Sequence, residues 1–154
     1  MKTLICSVIV AAFATAATLA DSAAWAGTRH ASANHRIAAY ARTFPGHYRY
    51  AYGGNSPGTG FDCSGLAQYV YRHFHKRIPR TSQRQFRFFR RETRRQARPG
   101  DLVFFHVTSS RTSSVYHVGI YEGHHTIVAA ADPEDGLVYE RIWSPDVTYG
   151  TVTH

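Results

Sequence analysis

Cys63 stands in the run Gly60-Phe61-Asp62-Cys63-Ser64-Gly65, at what reads as a loop-to-helix junction. The first turn of a helix presents backbone N–H groups without intrahelical acceptors, together with the positive end of the helix dipole. Both favour the thiolate, the reactive form of cysteine. The same N–H groups can hold the oxyanion that forms when a thiolate attacks a carbonyl. Such a nucleophile needs a base that takes its proton and passes it to the leaving group, and histidine is the usual choice. Of ten histidines, His117 is the best placed, because it opens His117-Val118-Gly119-Ile120-Tyr121, a stiff core strand that can aim a side chain. The plainer reading of both residues is packing: an inert core cysteine and a strand histidine.

The N-terminus bears on the thiol. Lys2 is followed by an apolar, uncharged run over Leu4 to Ala20, and Ala24-Trp25-Ala26 fits a small-x-small cleavage pattern. Residues 1–26 therefore read as a secretory signal, with Gly27 the new N-terminus; the run is short for a membrane anchor and no basic stop-transfer cluster follows. Cleavage would remove Cys6, leaving Cys63 alone and excluding a disulfide framework in the monomer. An exposed idle thiol is a liability outside the cytoplasm, which favours burial or use. Loss of Lys2 and Asp21 leaves the formal charge at +8.

The remaining length suits one domain with a real core. Residues 27–33 are small and polar and read as a flexible leader to a domain over 34–154. Ile37, Tyr40, Ala41 and Phe44 share a face of a helix over Asn34 to Phe44, which Pro45-Gly46 ends. Residues 53–60 form a glycine-rich loop without the Gly-Lys-Ser/Thr of a phosphate-binding loop. A second helix runs from Asp62, a candidate N-cap, to Phe74. Ser82-Gln83-Arg84-Gln85 resembles a capping box and opens a short third helix. After Pro99-Gly100 the pattern turns to period two, with strands over Asp101–His106, Val115–Tyr121, Thr126–Ala131 and Leu137–Trp143. Helices followed by an antiparallel meander define an α+β class.

Arginine and lysine crowd residues 72–98. Such a face suits an anionic partner, or it is simply solvated. Export argues against nucleic acid and for cell-wall polymer. His73 and His75 diverge on a helix, His124 and His125 point apart if extended, and all four read as surface residues. No His-Glu-x-x-His run supports zinc.

Five segments together resemble the NlpC/P60 family of cell-wall cysteine peptidases: Tyr50-Ala51-Tyr52-Gly53-Gly54, Gly60-Phe61-Asp62-Cys63-Ser64-Gly65-Leu66, Pro79-Arg80-Thr81-Ser82, Arg98-Pro99-Gly100-Asp101-Leu102-Val103-Phe104-Phe105 and His117-Val118-Gly119-Ile120-Tyr121. They occur in the family's order and span about Asn34 to Trp143. The resemblance implies a papain-like core, with Cys63 as nucleophile and His117 as base. It implies that Tyr50 lies beside the thiol, and that Asp62 and Ser64 contact polar groups of the substrate. The implied reaction is hydrolysis of an amide in peptidoglycan stem peptides, typically between D-glutamate and the following diamino acid, through a thioester and without metal or organic cofactor.

One position departs from the pattern. The family usually carries a polar residue, often His, twelve residues after the base histidine to orient it; here that position is Ala129. With the hairpin centred on Gly123, Ala129 faces His117 and His125 sits opposite Tyr121, roughly 13 Å from His117 at about 3.3 Å per residue. Asp132, a backbone carbonyl or a water is left to orient the imidazole. Ala129 favours a second reading, a wall-binding module without catalysis. A third keeps the thiol chemistry but makes it an amidase or acyl transferase on another envelope substrate.

Overall fold

The structure is a computed structural model that describes residues 33–108 and 114–152. The expected signal over 1–26 and all but the last residue of the expected leader lie outside the described residues. Helix α1 covers residues 33–41 and buries Ile37, Ala38 and Ala41. It stops three residues before Phe44, where the chain tightens: the Thr43 N–H donates to the Tyr40 carbonyl. Phe44 is still buried, as its spacing predicts.

A short hairpin, β1 (Asn55–Ser56) and β2 (Gly60–Phe61), leads into α2 (Cys63–His73). Asp62 caps α2, with extended backbone and its Oδ1 accepting from the Gly65 N–H at 2.7 Å. Leu66, Ala67, Val70 and Tyr71 form the buried face of that helix. Helix α3 (Ser82–Phe88) is capped one residue earlier than the capping-box reading places it: the Thr81 hydroxyl accepts from the Arg84 N–H. Ser82 donates instead to the Val115 carbonyl, and the Gln85 amide donates to the Ser64 and Pro79 carbonyls. These bonds tie α3 to both the sheet and α2.

Among the described residues the sheet has six antiparallel strands: β3 (Arg90–Glu92), β4 (Leu102–His106), β5 (Val115–Gly123), β6 (Thr126–Ala130), β7 (Leu137–Arg141) and β8 (Val147–Thr151), in the order β3-β8-β4-β5-β6-β7. Strands β4 to β7 form the expected meander. Strand β8 then returns to the far side of β4, and neither it nor β3 is apparent from sequence pattern. Strand β3 is Arg-Arg-Glu at an exposed edge, so apolar alternation is absent. In β8, Gly150 lies where an added Cβ would stand 2.9 Å from the Phe89 Cβ, a close approach that suits glycine.

Side chains alternate between the two faces of the sheet. Leu102, Phe104, Val118, Ile120, Val128 and Ala130 join the helices in the main core. Val103, Phe105, Tyr121, Ile127 and Ala129 form a second cluster with Ile142 and Tyr149. All of β4 is buried, so the sheet is covered on both sides.

The β5–β6 hairpin corrects the register expected above. Its turn is His124-His125, both with positive φ (49° and 64°), and the pairing slips between Tyr121 and Gly123. Tyr121 pairs with Ile127 and Ile120 with Val128. Continuing that register sets Ala129 opposite Gly119, not His117; the shift is by two residues, so Ala129 keeps the same side of the sheet as His117. His125 is in the turn, not opposite Tyr121. It is only half-exposed and its Nδ1 is buried, so it is not the surface residue that sequence suggests.

Candidate active site

Helix α2 places Cys63 in its first turn, half-exposed. Three N–H groups at that end have no intrahelical acceptor, those of Cys63, Ser64 and Gly65. Gly65 is satisfied by the Asp62 side chain, which leaves the other two beside the thiol. A Cβ on Gly65 would stand 2.0 Å from the Gly54 carbonyl oxygen, so the glycine loop and the helix start can meet only because Gly65 lacks a side chain. The Gly54 carbonyl itself accepts from the Asp62 N–H at 3.1 Å.

Asp62 is held on every side. Its carboxylate accepts from Gly53 N–H (2.9 Å) and Ser64 Oγ (3.2 Å), and from Arg80 through both terminal nitrogens, at 2.9 and 2.7 Å. Burial alone would raise its carboxyl, but Arg80 and the Gly65 N–H hold it below the usual carboxylate range. Arg80 also donates to the Gly54 carbonyl and to Ser64 Oγ. The Ser64 side chain is buried in this network. Asp62 and Ser64 thus brace the loop-helix junction. By sequence Arg80 falls both in the basic stretch and in the family-like segment Pro79-Arg80-Thr81-Ser82, with no role attached to it. Its place in Pro79-Arg80-Thr81-Ser82, near an isolated aspartate, is the signal that could have found it.

His117 lies on β5, paired with Phe105, and the β4–β5 register shifts one residue further on. Bulges re-aim side chains, and this one adjoins the histidine. The imidazole is buried, edge-on to Phe105 at 5.3 Å and 5.5 Å from Trp143, which itself stacks on Phe105 at 4.2 Å. Its Nε2 faces Glu140 Oε1 at 3.7 Å. Burial alone lowers the imidazole pKa, but the adjacent Cys63 sulfur and Glu140 carboxylate outweigh it and raise the value to about 9.

Cys63 and His117 line one cavity of about 340 Å³, with Tyr50, Tyr116, Asp132, Glu140 and Trp143 in its wall. Tyr50 is brought there by a bridge to Phe61, just before Cys63. Burial, then negative charge at Cys63 and Asp62, raises its phenol pKa, so it stays a neutral donor. Of the residues singled out by sequence, Cys63, His117 and Tyr50 converge, while Asp62 and Ser64 support them from behind. Asp132 reaches the cavity wall, with its Oδ1 accepting from the Glu134 and Asp135 N–H groups. Ala129 is fully buried in the second cluster and has no polar atom to offer. His125 lines a different cavity, with Arg94 and Tyr149. Glu140 and Trp143 were missed, and nothing local in the sequence points to either.

The basic stretch is not one helix face. It is divided among the end of α2, α3, the edge strand β3 and the loop after it, and Arg80 is withdrawn into the Asp62 network. The arginines at 84, 87, 90, 91, 94, 95 and 98 remain exposed.

A thiol at a helix start, facing a buried histidine across a cleft between helices and an antiparallel sheet, defines a papain-like arrangement. The chain belongs to the NlpC/P60 family: the family model matches residues 46–152. Among curated relatives, the probable endopeptidase p60 of Listeria innocua is 43% identical over 93 residues, 60% of this chain and 18% of that protein. The bifunctional muramidase/DL-endopeptidase CwlT of Bacillus subtilis is 39% identical over 95 residues, 62% of this chain and 28% of that protein. The chain thus spans less than a third of the length of these relatives. A Staphylococcus aureus crystal structure, described as an NLP/P60-family protein similar to a lipoprotein, superposes with a TM-score of 0.66 at 30% identity, over 80% of this chain and 42% of that one.

Proposed function

We propose that this protein is a cysteine peptidase of the cell envelope that hydrolyses an amide bond in peptidoglycan stem peptides, of the D-glutamyl–diamino acid type. The observation that carries the reading is the meeting of Cys63 and His117 in one cavity at the start of α2. The names of the curated relatives support the substrate class. The Cys63 sulfur attacks the carbonyl carbon, and the oxyanion is held by the first-turn N–H groups and the Tyr50 hydroxyl. His117 gives its proton to the departing amine as the C–N bond breaks, leaving a thioester on Cys63. His117 then takes a proton from water, which attacks the thioester; the acid leaves and the thiol is restored. Export follows from the signal read in residues 1–26, and the exposed arginines from Arg84 to Arg98 dock on anionic wall polymer.

Digestion of purified murein tests this directly. The mature protein releases stem-peptide fragments whose masses identify the bond, and Cys63→Ala releases none; undiminished release by that variant sinks the mechanism. Fragments of other masses move the thiol chemistry to an amidase or acyl transfer. Ala129 at the family's polar position favours one second reading, a wall-binding module that retains murein and cleaves nothing. Docking through arginine weakens with added salt over the usual screening range, and salt-insensitive retention removes that role.

A further inference from the structure

His117 Nε2 and Glu140 Oε1 are both buried, and neither has a hydrogen-bond partner among the described residues. They face each other at 3.7 Å, with side-chain exposures of 10% and 23%. Buried polar atoms are rarely left alone, and two complementary ones aimed at each other form a pair that a small side-chain rotation closes to hydrogen-bond distance. With Nε2 turned to Glu140, Nδ1 is the nitrogen left for Cys63.

The strand registers explain how a residue on β7 reaches a histidine on β5. Glu140 pairs with Ile127, and Ala129 with Val138. Directly paired residues share a face, so Glu140 is on the side of Ile127 and Ala129, which is also the side of His117. With Ala129 opposite Gly119, it lies on the diagonal from Glu140 to His117. The residue on that diagonal, Ala129, carries only a methyl group. A larger side chain at 129 would fill the path between the carboxylate and the imidazole.

We propose that Glu140 is the positioning residue of His117, reaching across the alanine at 129 to take the role that the family pattern gives to residue 129 itself. The carboxylate accepts from Nε2–H, fixes the tautomer that presents Nδ1 to the thiol, and stabilises the imidazolium formed when the thiol ionises. Ala129 is then the condition for this arrangement rather than a sign of lost activity. The inference rests on the Cys63–His117 reading above.

The test measures kcat and KM on a soluble muropeptide as a function of pH, for wild type, Glu140→Gln, Glu140→Ala, the double variant Glu140→Ala/Ala129→His, and Cys63→Ala. Glu140→Ala lowers kcat about 100-fold, in the usual range for losing the orienter or partner of a general base, with KM changed less than about threefold. Glu140→Gln is near isosteric and keeps an acceptor but not the charge, so it loses less rate. Its alkaline limb moves to lower pH, because the imidazolium has lost its anionic partner. The double variant, with a polar ring restored at 129 and the carboxylate gone, recovers at least about tenfold over Glu140→Ala, a partial return of the general-base effect. An inactive Cys63→Ala together with unmoved kcat and alkaline limb in Glu140→Gln overturns the positioning role and leaves the peptidase reading intact. A fully active Cys63→Ala overturns both.

Discussion

The two sides of the cavity are built differently. On the thiol side, Gly53, Asp62, Ser64, Gly65 and Arg80 form a network in which the Asp62 oxygens accept five hydrogen bonds, all supplied within 28 residues of chain. On the histidine side, His117 is gripped by Phe105 and Trp143, and its outer nitrogen meets Glu140 at 3.7 Å without a formed hydrogen bond. Cys63 adjoins a closed polar lattice, and His117 is held by aromatic packing and one open ion contact. In the first arrangement every contact of the carboxylate is a formed hydrogen bond. In the second the open contact is sensitive to charge, since Glu140 helps to raise the His117 pKa.

The largest effect that can break this contrast is on the base. His117→Ala lowers turnover on murein fragments by about 10³-fold, within the range for losing a general base; a loss under tenfold would place the proton transfer elsewhere. Next comes the pH dependence of stability. The folded pKa of His117, about 9, lies above its ordinary 6.5, so its contribution is fully present below pH 6.5 and is lost as pH rises through about 9. Thermal unfolding of the wild type then loses on the order of 3 kcal/mol over that window, and His117→Asn removes that slope.

On the thiol side the expected effects are structural. Arg80→Met leaves Asp62 without its charge partner and costs about 2 kcal/mol, less than the ~3–5 of a fully buried pair because both side chains keep some solvent contact. Denaturant titration checks it, and an unchanged midpoint would show that the lattice stands without the arginine. Smallest is Thr81→Ala, which removes the α3 cap for about 1 kcal/mol without touching the cavity. A loss of activity larger than that stability change would mean that α3 acts on the site.

The same contrast separates what was legible in the sequence from what was not. Cys63, its N-cap Asp62, the glycine loop and the helix behind them lie close together in the chain, so residue type and spacing reveal them. His117 is legible because its strand reads as core, while Tyr50 is reached only through the family resemblance of its block. Glu140 is not. It lies 23 residues beyond His117 and reaches it only through two strand registers, and the turn at His124-His125 takes a backbone conformation that neither histidine advertises. The misplaced register sets Ala129 opposite His117, whereas the strand pairing, continued, sets it opposite Gly119. Strands β3 and β8 were hidden for a related reason: one is charged, the other closes the sheet from the far end of the chain.

The central claim is that Cys63 and His117 act as one coupled pair. Following the His117 imidazole by NMR through a pH titration, in wild type and in Cys63→Ala, tests it most directly. The account predicts an imidazole that stays protonated to about pH 9 in the wild type and loses its proton at clearly lower pH once the sulfur is removed. Titration near pH 6.5 in both proteins would contradict it.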